Sequence, residues 1–143
     1  MISYSLKEIC KKIDLICVNE VNIIFLLGNI ADGKTTLVKE YVKSKNLPFL
    51  VTSPTYNLMH QYGEIFHYDC YNKNLNELLN LGILDLLHVS GLHFIEWGEE
   101  KLYKMLDPNF VTLFCIRINR VGESRNYELG EDYIGHSFSS ESK

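Results

Sequence analysis

The chain has 143 residues, 46% of them hydrophobic, 12% aromatic and 22% charged, with a net charge of -4. These values describe one globular domain with enough apolar material for a single core, and they exclude a mainly disordered chain. The acidic balance leaves no electrostatic footprint for gripping nucleic acid, because phosphate binding rests on Lys and Arg. Any RNA is therefore expected to be held through a partner.

Taken in chain order, Ser5–Ile16 reads as an amphipathic helix, with Leu6, Ile9, Cys10, Ile13, Ile16 and Cys17 on one face. A turn at Asn19-Glu20 leads into Val21–Leu27, a nearly continuous apolar strand of the kind covered on both faces of a parallel sheet. Gly28–Gly33 follows as a loop and Lys34–Ser44 as a helix. Phe49–Thr52 and Glu64–Asp69 read as the second and third strands, and Leu75–Leu87 as a helix interrupted by Gly82. Leu92–Trp97 and Val111–Asn119 are the fourth and fifth strands, and Tyr127–Leu129 adds a short edge strand. Helices alternating with buried strands predict an α/β fold of three layers, a mostly parallel central sheet with helices on both faces. The domain is expected to span residues 1–129, with a flexible tail over 130–143 where Ser and Gly dominate.

Cys10, Cys17, Cys70 and Cys115 form no CxxC pair and have no zinc-like spacing, so reduced thiols are expected. The longest apolar run, Ile23 to Leu27, is far below the ~20 residues of a membrane span, so no membrane partner is expected. Lys7, Glu8, Lys11, Lys12 and Asp14 stand where a signal peptide would carry its apolar stretch, and the expected location is cytoplasmic.

The sharpest feature is Gly28-Asn29-Ile30-Ala31-Asp32-Gly33-Lys34-Thr35, which fits G-x-x-x-x-G-K-[ST]. Its glycines let the backbone turn so that successive N–H groups face phosphate oxygens. In that motif Lys34 reaches the β- and γ-phosphates of ATP, and the Thr35 hydroxyl ligates Mg2+. The following helix aims its positive N-terminal end at the same anion. With glycine near 7% of residues, the pattern arises by chance in roughly one chain in two hundred of this length. An apolar strand before it and an apolar-periodic helix after it sharpen it further. Asp32 places a carboxylate inside the loop, pointing either out to solvent or at the cost of weaker nucleotide binding.

A phosphate loop needs an acidic partner for magnesium at the end of a neighbouring strand. Glu96 follows Leu92-His93-Phe94-Ile95, and Asp69 follows Ile65-Phe66-His67-Tyr68. His67 shares a strand face with Asp69 and reads as a hydrogen-bonded core histidine. From its residue type alone, Trp97 is core or a wall of the site. In Ser53-Pro54-Thr55-Tyr56, the proline stiffens a segment whose Ser53 and Thr55 hydroxyls suit a γ-phosphate sensor, or a plain turn.

In their order and spacing these pieces resemble the TsaE (YjeE) family of P-loop ATPases, from about Ser5 to Arg125. The resemblance rests on Leu27-Gly28-Asn29-Ile30 through Gly33-Lys34-Thr35-Thr36, Ser53–Tyr56 and His67-Tyr68-Asp69-Cys70-Tyr71. It continues with Glu77-Leu78, Leu81-Gly82-Ile83-Leu84-Asp85 and Ile95-Glu96-Trp97. It implies a P-loop NTPase-like fold and an ATPase, weak alone, that supports a TsaB–TsaD complex in forming threonylcarbamoyladenosine at position 37 of tRNA. Carried over by position, Lys34, Asp69 and Glu96 are the catalytic residues, with Asp69 positioning the attacking water. Thr35 and Glu96 hold magnesium. Gly28, Ala31, Asp32, Gly33, Lys34, Thr35, Thr36, Ser53, Thr55, Trp97 and Arg125 contact the nucleotide. The chain departs from the family pattern at Ala31-Asp32, where Gly-Ala is usual, at Asn72 in place of Arg, and at Ile9 in place of Thr.

Two other functions fit the motif. A small-molecule kinase would neutralise the transferred phosphoryl with Arg or Lys from a lid, yet no Arg precedes Arg117. A nucleotide-gated interaction module with negligible hydrolysis differs from the ATPase in rate alone. A GTPase is disfavoured because Asn72-Lys73-Asn74 ends in Leu75 where a guanine-reading carboxylate is needed.

Overall fold

The computed structural model describes residues 2–29, 31–48, 51 and 58–133. Twelve elements follow one another along these residues. They are β1 (Ser3–Tyr4), α1 (Leu6–Ile16), β2 (Val21–Leu27), α2 (Ala31–Ser44), β3 (Met59–Tyr62), β4 (Ile65–Asp69), α3 (Leu75–Asn80), α4 (Ile83–Leu86), β5 (Gly91–Glu96), α5 (Glu100–Lys104), β6 (Thr112–Val121) and β7 (Ser124–Gly130). The strands form one sheet in the order β1-β7-β6-β2-β5-β4-β3. Its centre, β6-β2-β5-β4, is parallel as expected, and antiparallel pairings with β7, β1 and β3 flank it.

Each strand of the sheet's centre buries both faces, which gives two cores and hence three layers. On one face Ile9 and Ile13 of α1 and Leu37, Val38 and Val42 of α2 meet Ile24, Leu26, Phe94, Ile116 and Ile118. On the other, Leu78, Ile83, Leu87 and Leu102 cover Ile23, Phe25, Tyr68, Ile95 and Cys115. Burial of such side chains contributes about 1.5–3 kcal/mol each and is the main force holding the layers together. Local signals agree with the tertiary ones. Ser5 and Glu8 close a reciprocal capping box at the start of α1, and Asn74 and Glu77 do the same for α3. Asp14 ties α1 to α2 by accepting from the Tyr41 hydroxyl at 2.7 Å and pairing with Lys45 at 2.5 Å.

Several boundaries differ from the sequence reading. The helix after the phosphate loop begins at Ala31, so Ala31, Asp32 and Gly33 form its first turn. The helix over residues 75–87 breaks where expected, at Gly82, whose φ is 83°. The fourth strand stops at Glu96, because Trp97 turns into the left-handed region with φ 60°. The expected edge strand is a full partner of β6, covered in turn by β1. Of the expected strand Phe49–Thr52 only Val51 is described, and it is buried; the rest lies outside the described residues.

The expected tail does not begin at residue 130. Tyr103 donates its hydroxyl proton to the Glu131 carbonyl, and Tyr133 donates to the Gly98 carbonyl at 2.8 Å. The Tyr133 ring also packs against Phe25 and Tyr103. The domain therefore reaches at least Tyr133, and residues 134–143 lie outside the described part. Among the described residues no helix is long and apolar enough to cross a membrane. The four cysteines are free, as expected.

A buried histidine links the strands that carry the two acids. His93 on β5 accepts from the Tyr68 hydroxyl at 2.7 Å and donates to the Val89 carbonyl at 2.7 Å, with its ring stacked on Phe66. Burial pushes the His93 pKa down, opposed in part by the bond to Val89. A base with a depressed folded pKa takes up protons preferentially when unfolded. Its stabilising contribution is complete above the ordinary histidine value of about 6.5 and is lost as pH falls below it. His93→Gln is expected to flatten that acid-side loss, measured as urea midpoints between about pH 7 and pH 5.

Candidate functional site

The C-terminal ends of β4, β2 and β5 converge, and the loop leaving β2 enters α2 there. Gly28 has φ 138°, and a Cβ at that position would sit 2.7 Å from the Ile118 carbonyl oxygen of β6. Gly33 is nearly as confined, since a Cβ would meet Ile118 Cγ2 at 3.0 Å and Arg125 at 3.4 Å. Only glycine lets the loop lie this close to the β6–β7 hairpin.

Lys34 is fully buried. Its ammonium donates to the Gly28 carbonyl at 2.5 Å and stands 3.9 Å from the centre of the Trp97 ring, a cation–π contact. Burial pushes the Lys34 pKa down, while the Glu96 and Asp69 carboxylates pull it up. Trp97 reaches this position only through its positive φ, which for a bulky residue costs on the order of 1–3 kcal/mol. Tyr71 leans on its ring with 5.2 Å between centroids.

Thr35 donates its hydroxyl proton to Glu96 Oε2 at 3.1 Å. Glu96 is buried at the end of β5, and Asp69 ends β4 directly opposite it in register. The Asp69 Oδ1 atom accepts from the Tyr71 N–H at 3.0 Å. Beside the loop a cavity of about 570 Å³ is lined by Asn29, Lys34, Trp97, Arg117, Asn119 and Tyr133 among others. That is the size of an ordinary small-ligand site.

The structure thus gathers Gly28, Gly33, Lys34, Thr35, Asp69, Glu96, Trp97 and Arg125 around one loop. Thr36 follows Thr35 on α2. Ala31 and Asp32 supply backbone to the first turn of α2, and their side chains lie outside the described part. Ser53 and Thr55 also lie outside the described residues, as does the rest of the expected sensor segment. His67 is buried as expected of a core histidine, but its Nε2 bonds Glu96 Oε2. The signal was its alternation with Asp69 on a strand beside Glu96. In the sequence reading Arg117 and Asn119 fall on the fifth strand without being marked as site residues, and Tyr133 falls in the expected tail.

A parallel sheet whose first central strand feeds a glycine loop and a helix, with Lys and Thr opening that helix and an acid ending the next strand, defines a P-loop NTPase-like protein. Its overall fold aligns with the crystal structure of YdiB from Bacillus subtilis at a TM-score of 0.62 and 16% identity, covering 98% of this chain and 92% of that one. The family model for TsaE, the threonylcarbamoyl adenosine biosynthesis protein, matches residues 3–127. The TsaE protein of Haemophilus influenzae is 29% identical over 111 residues, which cover 74% of this chain and 68% of that protein. TsaE of Nostoc sp. is 32% identical over 91 residues, or 58% of this chain and 56% of the relative. TsaE of Treponema pallidum is 27% identical over 103 residues, 69% of this chain and 75% of its own length. The chain belongs to the TsaE family, whose role is in tRNA threonylcarbamoyladenosine biosynthesis.

Proposed function

We propose that this protein binds ATP with magnesium and hydrolyses it in support of a TsaB–TsaD-type complex that forms threonylcarbamoyladenosine on tRNA, which it meets only through those partners. The observation that carries this reading is the convergence of Lys34, Thr35 and Glu96 at the end of the β2 loop. The donor set suits the cation. Among the described residues no group of three His, Cys, Asp or Glu side chains is placed to hold a metal ion, so a metal here would be held by the Thr35 hydroxyl, the Glu96 carboxylate and phosphate oxygens. A hard oxygen set of that kind fits magnesium, which keeps much of its water, better than zinc. The confined glycines suit a phosphate chain approaching the loop backbone.

Bound magnesium would neutralise charge on the phosphate oxygens. Lys34 would exchange the Gly28 carbonyl for a phosphate and carry charge developing on the leaving oxygens. Asp69, with one oxygen engaged by the Tyr71 amide, offers the other to the attacking water. Trp97 walls the site against bulk water.

A second reading, a nucleotide-gated module with negligible hydrolysis, draws on the Lys34 geometry. The ammonium is held by its own loop and by Trp97, and must leave both before it meets a phosphate. Both readings require ATP binding. At a hundredfold excess of ATP over its dissociation constant, with magnesium, the protein is expected to gain about 2.7 kcal/mol of stability. Equal stabilisation by GTP would count against the assignment. Phosphate release with the partner complex present separates the two readings, since the gated module releases none above background.

A further inference from the structure

His67 sits in the middle of the acid end of the sheet with no exposure to solvent. Its Nε2 bonds Glu96 Oε2, while its buried Nδ1 meets no hydrogen-bond partner among the described residues. A ring nitrogen against a carboxylate oxygen must carry the proton. A proton on Nδ1 would be a buried donor with no acceptor, so the geometry places the donated proton on Nε2. The same Oε2 atom also accepts from the Thr35 hydroxyl at 3.1 Å. Two donors from two elements, β4 and α2, thus converge on one oxygen of a carboxylate that β5 supplies. Glu96 Oε1 has no hydrogen-bond partner among the described residues.

We infer that His67 is a positioning residue: it donates from Nε2 to Glu96 Oε2 and holds the carboxylate so that Oε1 is presented to a divalent cation or to its hydration water. This rests on the magnesium reading above. The ring is well suited to the task because β4 fixes its backbone in register with Phe94, two residues before Glu96 on the paired strand. A histidine that only filled space would have no need to spend its one donor on the acid.

The test uses the full chain, with ADP and magnesium chloride as probes. ADP affinity is measured in EDTA and across a magnesium titration for the native protein, His67→Leu and His67→Gln. Leu fills the ring's volume with no donor, and Gln restores an N–H near the Nε2 position. His67→Leu is expected to weaken apparent magnesium affinity by about 10–100-fold, the usual effect of losing a partner that orients a ligand, with ADP affinity in EDTA unchanged. His67→Gln is expected to recover most of that loss. A Leu variant that titrates with magnesium like the native protein overturns the inference, as does a Gln variant no better than Leu. ADP binding by the native protein that ignores magnesium would bring down the magnesium reading and this inference with it. If the Leu variant does not fold, the ring-nitrogen NMR shifts of His67 in metal-free native protein decide. A proton on Nε2 with bare Nδ1 supports the role, and a proton on Nδ1 overturns it.

Discussion

Lys34→Ala is expected to lower partner-supported ATP hydrolysis by about two to three orders of magnitude, while the protein unfolds at the same urea concentration or a higher one. The first half follows from charge. Removing one preorganised donor from the path of developing charge costs about 2.7–4 kcal/mol of transition-state stabilisation. Lys34 contacts both the loop backbone and the wall of the site. The second half follows from burial. The environment pushes the Lys34 pKa down despite two carboxylates pulling it up, so the folded state holds this ammonium at a net cost. Alanine relieves that cost and loses the cation–π contact, and water from the adjoining cavity fills the space. A residue that serves function against stability has this signature. Parallel loss of activity and of the urea midpoint would instead make Lys34 a structural residue.

Much of this site was legible because its chemistry is local. The glycine loop, the strand Val21–Leu27 that enters it and the acid at Glu96 are all written within short segments; the structure has the strand and the acid as read and starts the helix three residues earlier, at Ala31. What the sequence hid is mostly pairing. Met59–Tyr62 shows no clean alternation and only Tyr62 is buried, yet it pairs with β4 across Gly63, where φ is 65°. A glycine between two short segments was the available hairpin signal. β6 and β7 run past the end of β2 as a two-stranded ribbon, where Arg120 and Val121 have no full core to face and so fell outside the expected strand. That ribbon supplies one wall of the cavity. α5 is five residues long, too short for periodicity to register. Tyr133 was assigned to a tail on composition, although an aromatic with a hydroxyl can anchor a segment by packing and hydrogen bonding together.

Gly28→Ala is expected to destabilise the protein by roughly 2–4 kcal/mol and to abolish tight nucleotide binding, although it adds a single methyl group. Part of the cost is conformational, since φ of 138° is a region that side chains rarely adopt. The larger part is contact. The new Cβ would lie 2.7 Å from the Ile118 carbonyl oxygen, and that atom belongs to backbone paired with Tyr127 of β7, one residue past the β2 pairing at Arg117. The loop must give way because β6 is held by β7 at this residue and by β2 at the one before. When it moves, the Gly28 carbonyl that holds Lys34 moves with it, and the amides that follow lose their common focus. Gly122→Ala separates the two causes. Gly122 also has positive φ, 62°, in the tight turn between β6 and β7, but a Cβ there meets nothing within 4 Å. It should cost only the conformational part, about 1–2 kcal/mol, and leave nucleotide affinity alone. Urea midpoints and ADP affinities of both variants make the comparison. If the two lose equal stability and bind ADP equally well, crowding against Ile118 does not set the shape of the loop.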